Sequence, residues 1–362
     1  MVSWLVESAV LPIGVDIDSD IVRMAQLRYD GRDTELLAAA WASIPCAAGD
    51  AGGKSLEAAA RQIRELLKTR RFRGRQCVLS LPPEATFIHH MKVPKLRPEQ
   101  VDQILRMELK RKLPEAGDDM IIRHVVVAET VADGKGQQEV IVIAAPRAAI
   151  SSHLAMAEEA GLDVVGVAAE ACAIVECWSH LMRREGDASR TILFVHIGKL
   201  NTQVVLTHGR HLVFARTLAV GGECFDSMIA EGMGIGLQQA NQARLELGQG
   251  RGDAAMAAQV YRLLETKLDQ TAGELIQCLR YYESVFRNRR AELVVFVGGQ
   301  AFDKNVCQAL AKRLNLPAKI GDPLLSIACA DGAGPDAAID HRVPHPDWTI
   351  AIGLSLEAIW GR

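Results

Sequence analysis

Two stretches carry residues suited to chemistry, Gly14-Val15-Asp16-Ile17-Asp18-Ser19-Asp20 and Phe194-Val195-His196-Ile197-Gly198-Lys199. Each reads as an apolar strand running into a tight polar turn. Such a turn can cradle phosphate, because its backbone N–H groups point at the anion, and a carboxylate at the strand's end can hold Mg²⁺ through water. Two such turns, one per domain, can grip a nucleotide from both sides. A third stretch, Val297-Gly298-Gly299-Gln300, puts paired glycines after another apolar run, where backbone without a Cβ can approach a base or ribose closely. The plainer alternative is a polar hairpin turn in which Asp16, Asp18 and Asp20 cap their own backbone, with His196 a satisfied polar residue at a strand end and Gly298-Gly299 a simple strand-to-helix turn.

These turns need strands to hold them. Leu11–Ile17, Val22–Tyr29 and Leu36–Ile44 read as three strands joined by short turns, followed by a helix over Lys54–Thr69 and a buried strand at Cys77–Leu81, stopped by Pro82-Pro83. The block of residues 83–150 reads as a β-α-β-β-α insertion with its own small sheet: Ala85–Val93, a helix from Pro98, Met120–Glu129, a polar loop at Asp133–Gly136, Glu139–Ala145 and a helix from Pro146 to Gly161. Val164–Val167 returns to the first sheet, Ala168–Met182 is helical, and Arg183–Ser189 is the domain boundary. The second half repeats the opening, with strands at Thr191–Ile197, Thr202–Thr207 and His211–Leu218. Val15-Asp16-Ile17-Asp18 aligns with Val195-His196-Ile197-Gly198, so two meanders feeding helices suggest a duplicated domain. Helices follow at Cys224–Met233, Leu237–Leu247, about Ala254–Arg290, Asp303–Leu314 and Asp347–Trp360, with Glu292–Val297 a buried strand and Asp331–Pro346 a loose loop. The class is α/β, divided at 185/186, with a helical subdomain at about 237–290 in the second half.

Composition removes other functions. A net charge of −3 gives no field toward nucleic acid or membrane. The basic run Arg61–Arg75 has Phe72 as its one aromatic, which suits a solvated helix face better than a single-strand binder. The cysteines include no C-x-x-C pair and no zinc spacing, so they read as buried thiols in a reducing compartment. Met1–Val10 lacks the basic region of a signal peptide, and no run approaches the ~18 apolar residues of a membrane span. His89-His90 lie on opposite faces of a strand and cannot share a metal.

In order along the chain, the three stretches resemble the phosphate-1, phosphate-2 and adenosine motifs of the actin, Hsp70 and sugar kinase superfamily. Within it the chain is most similar to the PilM family of type IV pilus assembly proteins, through Leu79-Ser80-Leu81-Pro82-Pro83-Glu84, Met107-Glu108 to Leu113-Pro114, Leu162–Val167, Gly221-Gly222, Gly321-Asp322-Pro323 and Ile352–Leu356. The resemblance spans about residues 12–360. It implies an actin-like ATPase fold of two RNase H-like domains flanking a central cleft. It also implies a cleft for ATP and Mg²⁺ lined by Asp16, Asp18, Ser19, Asp20, His196, Gly198, Lys199, Gly221, Gly222, Gly298, Gly299 and Gln300, with Asp16 as the metal anchor. Where the family has glycine this chain has Asp18, and where it has acids this chain has His196 and Ala168, with Glu170 nearby. Two acids beside phosphate repel it unless Mg²⁺ screens them, and without positioned acids neither metal nor water is well held. Poor or absent hydrolysis is expected, with no catalytic residue assigned.

The resemblance further implies a cytoplasmic scaffold, peripheral at the inner membrane only through a partner, in a type IV pilus or type II secretion-like platform. That partner is the cytoplasmic tail of a PilN-like bitopic membrane protein, held in a groove involving block 83–150. Phe87, Ile88, Met91 and Val93 are the candidate contacts. The alternatives are an active ATPase, a small-molecule kinase or a filament former, the last requiring self-association.

Overall fold

The computed structural model describes residues 9–45, 56–113, 119–132, 135–182, 185–287, 289–330, 339–340 and 342–360. Most of Met1–Val10, Cys46, the first two residues of the Lys54–Thr69 helix, Arg183 and Arg184 of the boundary, Asp133-Gly134 and most of Asp331–Pro346 lie outside the described residues. After β1 (Ala9–Val10), three strands form an antiparallel meander: β2 (Ile13–Ile17), β3 (Ile21–Tyr29) and β4 (Thr34–Ser43). Helix α1 (Leu56–Thr69) then leads to β5 (Gln76–Leu81), which runs parallel to β2. All five residues of β2 are buried, as expected of a central strand covered on both faces.

The inserted block contains β6 (Phe87–Pro94), α2 (Pro98–Lys112), β7 (Met120–Ala132), β8 (Lys135–Pro146) and α3 (Arg147–Ala160). Its sheet has the order β6-β8-β7. One face packs under Val101, Leu105 and Leu109 of α2. β7 and β8 run longer than expected, leaving only two residues between them. Helix α3 is not part of the insertion's own core: Met156, Ala157 and Ala160 join α1 in the core of the first domain. β9 (Asp163–Ala169) closes that sheet as an edge strand beside β5. Ala168 and Ala169 pair with Ser80 and Leu81, so α4 (Glu170–Ser179) starts two residues later than its pattern suggested.

The second half repeats this plan. β10 (Thr191–Ile197), β11 (Thr202–His208) and β12 (His211–Leu218) form an antiparallel meander, and after α5 (Gly222–Met233), α6 (Leu237–Gly248) and α7 (Ala254–Val285), β13 (Leu293–Val297) runs parallel to β10. α8 (Lys304–Leu314) and β14 (Ala318–Ile320) follow. The order β12-β11-β10-β13-β14 matches β4-β3-β2-β5-β9 strand for strand. α7 ends before Arg290 because the chain turns at Phe286, whose ring packs edge-on against His208 at 4.9 Å.

The last elements return to the sheet of the first half. β15 (Ala328–Cys329) pairs with β4, and α9 (Thr349–Trp360) crosses β2 and α4. The crossing is close: a Cβ on Gly353 would lie 1.9 Å from the Ala173 carbonyl, and one on Gly14 would lie 2.0 Å from that of Ala351. Glycine is needed at both positions to let backbone touch backbone.

Candidate functional site

The β2–β3 and β10–β11 turns face each other across the two domains. They close in the same way: Asp18 N–H donates to the Ile21 carbonyl and Gly198 N–H to that of Asn201, each at 2.9 Å. Between them lies a polar cleft lined by Asp16, Asp18, Arg23, Glu84, Glu170, His196, Gly198, Lys199, Asn201, Gly299 and Asp347. Its free volume is about 20 Å³, room for about one water molecule.

The strand ends position the first acids. Asp16 is 5% exposed, and its Oδ1 accepts from Ser80 Oγ on β5 at 3.2 Å. Glu170 opens α4 and is buried at the cleft wall. The sequence suggested it as a substitute for the acid missing at Ala168, and the structure does bring it into the cleft. Ala168 lies elsewhere, in the apolar groove described below. His196 ends β10 beside β13, and burial pushes its imidazole down to about 4, with Asp18 opposing and Arg23 adding to the fall. It is therefore neutral, and its buried Nδ1 has no hydrogen-bond partner. A neutral imidazole cannot replace a carboxylate as an anchor for a hydrated cation.

The turns bond to each other. Lys199 Nζ donates to Asp20 Oδ2 at 2.8 Å, and Asn201 Nδ2 donates to Glu84 Oε1 at 2.6 Å. Ser19 N–H donates to the neighbouring Asp18 Oδ1 at 2.6 Å. At the back of the cleft Arg23 Nε donates to Asp347 Oδ2 at 3.2 Å. Among the described residues, no group of three or more His, Cys, Asp or Glu side chains could hold a metal ion.

The glycine pairs line the second domain's wall. Gly221 and Gly222 start α5 against the Gly198–Asn201 turn, Gly222 N–H donating to the Gly198 carbonyl at 3.0 Å. Gly298 has φ +89°, which favours glycine. Gln300 folds over Gly222, where a Cβ would lie 2.4 Å from its amide. Gln300 is held there by Arg244, whose Nη2 donates to Gln300 Oε1 at 2.6 Å. The rest of the Arg244 guanidinium donates to Asp226 Oδ1 (2.7 Å) and Asp303 Oδ2 (3.3 Å), and Tyr261 OH donates to Asp303 Oδ1 (2.8 Å). This network, with Arg244, Asp226 and Asp303 buried, joins α5, α6, α7 and the start of α8. Sequence reasoning missed it, as it missed Arg23, Asn201 and Asp347, because each partner comes from a different element.

A second concavity is apolar. It lies between β7 and β9, each the last strand of its sheet among the described residues, lined by Leu81, Ile121, Ile143, Val167 and Ala168, with Arg123 and Glu357 at its polar points, and encloses about 380 Å³. Past Cys172, which both share, about 510 Å³ more runs along Val125–Val127 of β7 to Val175, Leu212 and Val213. β7 bulges here, leaving Val127 outside the β8 register. Burial, reinforced by Glu357 and offset by Arg210, raises the Glu176 carboxyl to about 7.

The partner residues expected from the sequence fall on two faces of the inserted sheet. Phe87, Met91 and Val93 point to α2, Val93 being only 1% exposed. They contribute to that core and do not line this groove. Ile88 alone faces the other way, into the core that residues of both halves share. His90, its neighbour on that face, accepts from Ala215 N–H of β12 at 3.2 Å and stacks on Phe214 at 4.6 Å, tying the inserted sheet to the second domain.

Two turns facing across paired sheets of the same strand order define the actin-like ATPase fold. The chain belongs to the family described as type IV pilus assembly protein PilM, whose model matches residues 14–359. Among solved structures it is similar to a PilM–PilN type IV pilus biogenesis complex (TM-score 0.78, 21% identity, 96% of this chain and 98% of that one). It also resembles the ethanolamine utilization protein EutJ from Carboxydothermus hydrogenoformans (TM-score 0.51, 14% identity, 95% and 89%) and MreB 5 of Spiroplasma citri bound to AMPPNP (TM-score 0.51, 12% identity, 96% and 96%). No curated protein matches it in sequence.

Proposed function

We propose that the chain is a cytoplasmic scaffold of a type IV pilus or related inner-membrane platform, and that it holds the cytoplasmic tail of a PilN-like membrane protein in the groove between β7 and β9. The observation that carries this is an apolar groove bordered by two strand edges that pair with no further strand among the described residues. Unpaired N–H and C=O groups recognise an extended peptide backbone, while an apolar floor takes alternate side chains. Among the described residues no helix is long and apolar enough to cross a membrane, so on this reading the chain reaches the membrane through its partner.

The polar cleft serves structure more than turnover. With His196 neutral and no positioned base, ATP hydrolysis is negligible, and Mg-ATP at most binds weakly. The test is calorimetric titration of the purified chain with a synthetic peptide of the tail of the PilN-like protein from the same organism. Micromolar binding that Ile121→Asp abolishes supports the scaffold. Absence of binding to the native chain, or equal binding by Ile121→Asp, sinks this assignment of the groove. Rapid phosphate release with ATP would instead favour an active ATPase.

A further inference from the structure

The cleft holds an ammonium and turn N–H groups that could bind an anion, and the chain's own carboxylate and carbonyl oxygens occupy them. Lys199 Nζ, the cation on the second turn, donates to Asp20 Oδ2 of the first at 2.8 Å. Ser19 N–H is taken by Asp18 Oδ1, and Gly198 N–H by the carbonyl of Asn201. A phosphate entering here would have to displace a carboxylate from an ammonium and another from a backbone N–H, in a space of about 20 Å³. It would also meet the negative charges of Asp16, Asp18, Glu84 and Glu170 at close range.

We infer that Asp18 and Asp20 are internal substitutes for nucleotide phosphate, so that the two domains of this chain clasp each other without nucleotide. Asp20 bridges the domains through Lys199. Asp18 satisfies the first turn's own donor. Asn201 to Glu84 forms a second bridge beside it. A carboxylate and a phosphate oxygen offer an ammonium the same charge-assisted hydrogen bond, and the tethered carboxylate has the higher local concentration. The Lys199–Asp20 pair is about one-third exposed on each side. A single pair of that kind is weak, so the clasp works as competition for Lys199 rather than as a lock. This inference does not depend on the tail-binding reading of the groove.

The experiment uses the full chain and two probes, Mg-ATP and inorganic pyrophosphate, with binding read by calorimetry and domain closure by small-angle X-ray scattering. The native chain is expected to bind both weakly and to keep the same scattering profile with or without them. Asp18→Gly/Asp20→Ala should bind Mg-ATP about fivefold more tightly, the gain expected from removing one competing part-exposed ion pair and its repulsion. Adding Lys199→Ala should erase the gain. Asp20→Asn, which keeps size and hydrogen bonding but removes charge, should show part of it and guards against misfolding of the double variant. Tight native binding of Mg-ATP, or unchanged affinity in both Asp20→Asn and the double variant, overturns the inference. A gain for pyrophosphate equal to that for Mg-ATP places the clasp at the phosphates, as proposed. A gain confined to ATP and insensitive to Lys199→Ala would place the effect elsewhere and overturn it.

Discussion

The cleft and the groove share helix α4, which gives Glu170 to one and Cys172, Val175 and Glu176 to the other. They are nonetheless built from opposite materials. The cleft is small, charged and crossed by side chains of both domains; the groove is several hundred Å³, apolar and bordered by the outer edges of β7 and β9. Polar groups that meet across a closed gap satisfy one another, whereas apolar surface left open favours a partner that covers it. The inserted sheet thus carries open apolar surface where the cleft between the domains is closed and polar.

The largest effect should come from the wall of the cleft. Arg244 is fully buried between Asp226, Asp303 and Gln300. Arg244→Met leaves two buried carboxylates without their cation, and loss of one partner in such a pair costs about 3–5 kcal/mol. Guanidinium unfolding should show it, while tail affinity of the folded protein stays unchanged. A loss under about 1 kcal/mol would mean that packing alone holds this wall.

Next in size is the groove itself. Val167→Arg, on the β9 edge, puts a charge into the apolar floor and should weaken tail binding by about 2–3 kcal/mol, as loss of a central contact does. Mg-ATP titration should not change. If it does, the two concavities are coupled through α4, and the contrast drawn above is too sharp.

Titration should separate the two regions by sign. In the cleft, burial lowers His196 to about 4, from an ordinary value near 6.5. The unfolded chain binds this proton first, so the contribution is whole above about pH 6.5 and is lost as pH falls toward 4. In the groove, Glu176 is raised to about 7. Its contribution is whole below the ordinary carboxylate value and is lost as pH rises through about 7. Glu176 is partly exposed, so screening limits that loss to about 2 kcal/mol. Glu176→Gln should therefore flatten the alkaline side of the stability profile and His196→Asn the acid side. Each variant flattening the same side would refute the pairing.

Much of this was legible in the residues. Strand ends at Asp16 and His196, their turns and the repeat between halves follow from local apolar runs, and the strand order of both sheets agrees with a duplicated meander. Glu170 was legible as a candidate but not in its direction, which depends on α4 starting after Ala169 has paired with Leu81. The clasp was not legible, because Asp20 and Lys199 meet only once two domains pack. The faces of β6 were not legible either. Period-2 alternation sorts Phe87, Met91 and Val93 from Ile88 but does not say which side α2 covers. The return of β15 and α9 to the first domain rests on contacts between chain ends, for which no local pattern exists.

The smallest effect tests how the contrast is maintained. Asn201 Nδ2 to Glu84 Oε1 is short, yet Glu84 is exposed, so water competes for both partners. A double-mutant cycle of Asn201→Ala with Glu84→Gln should give a coupling of about 0.5–1 kcal/mol. A value in that range means that the covalent crossings and the shared core of α4, α9 and both sheets hold the domains together. The cross-cleft bonds then only decide what occupies the gap. A coupling above about 2 kcal/mol would reverse that order. The polar cleft would then be the main joint between the domains, and the groove, bordered by β7, β9 and α4, would depend on it for its shape.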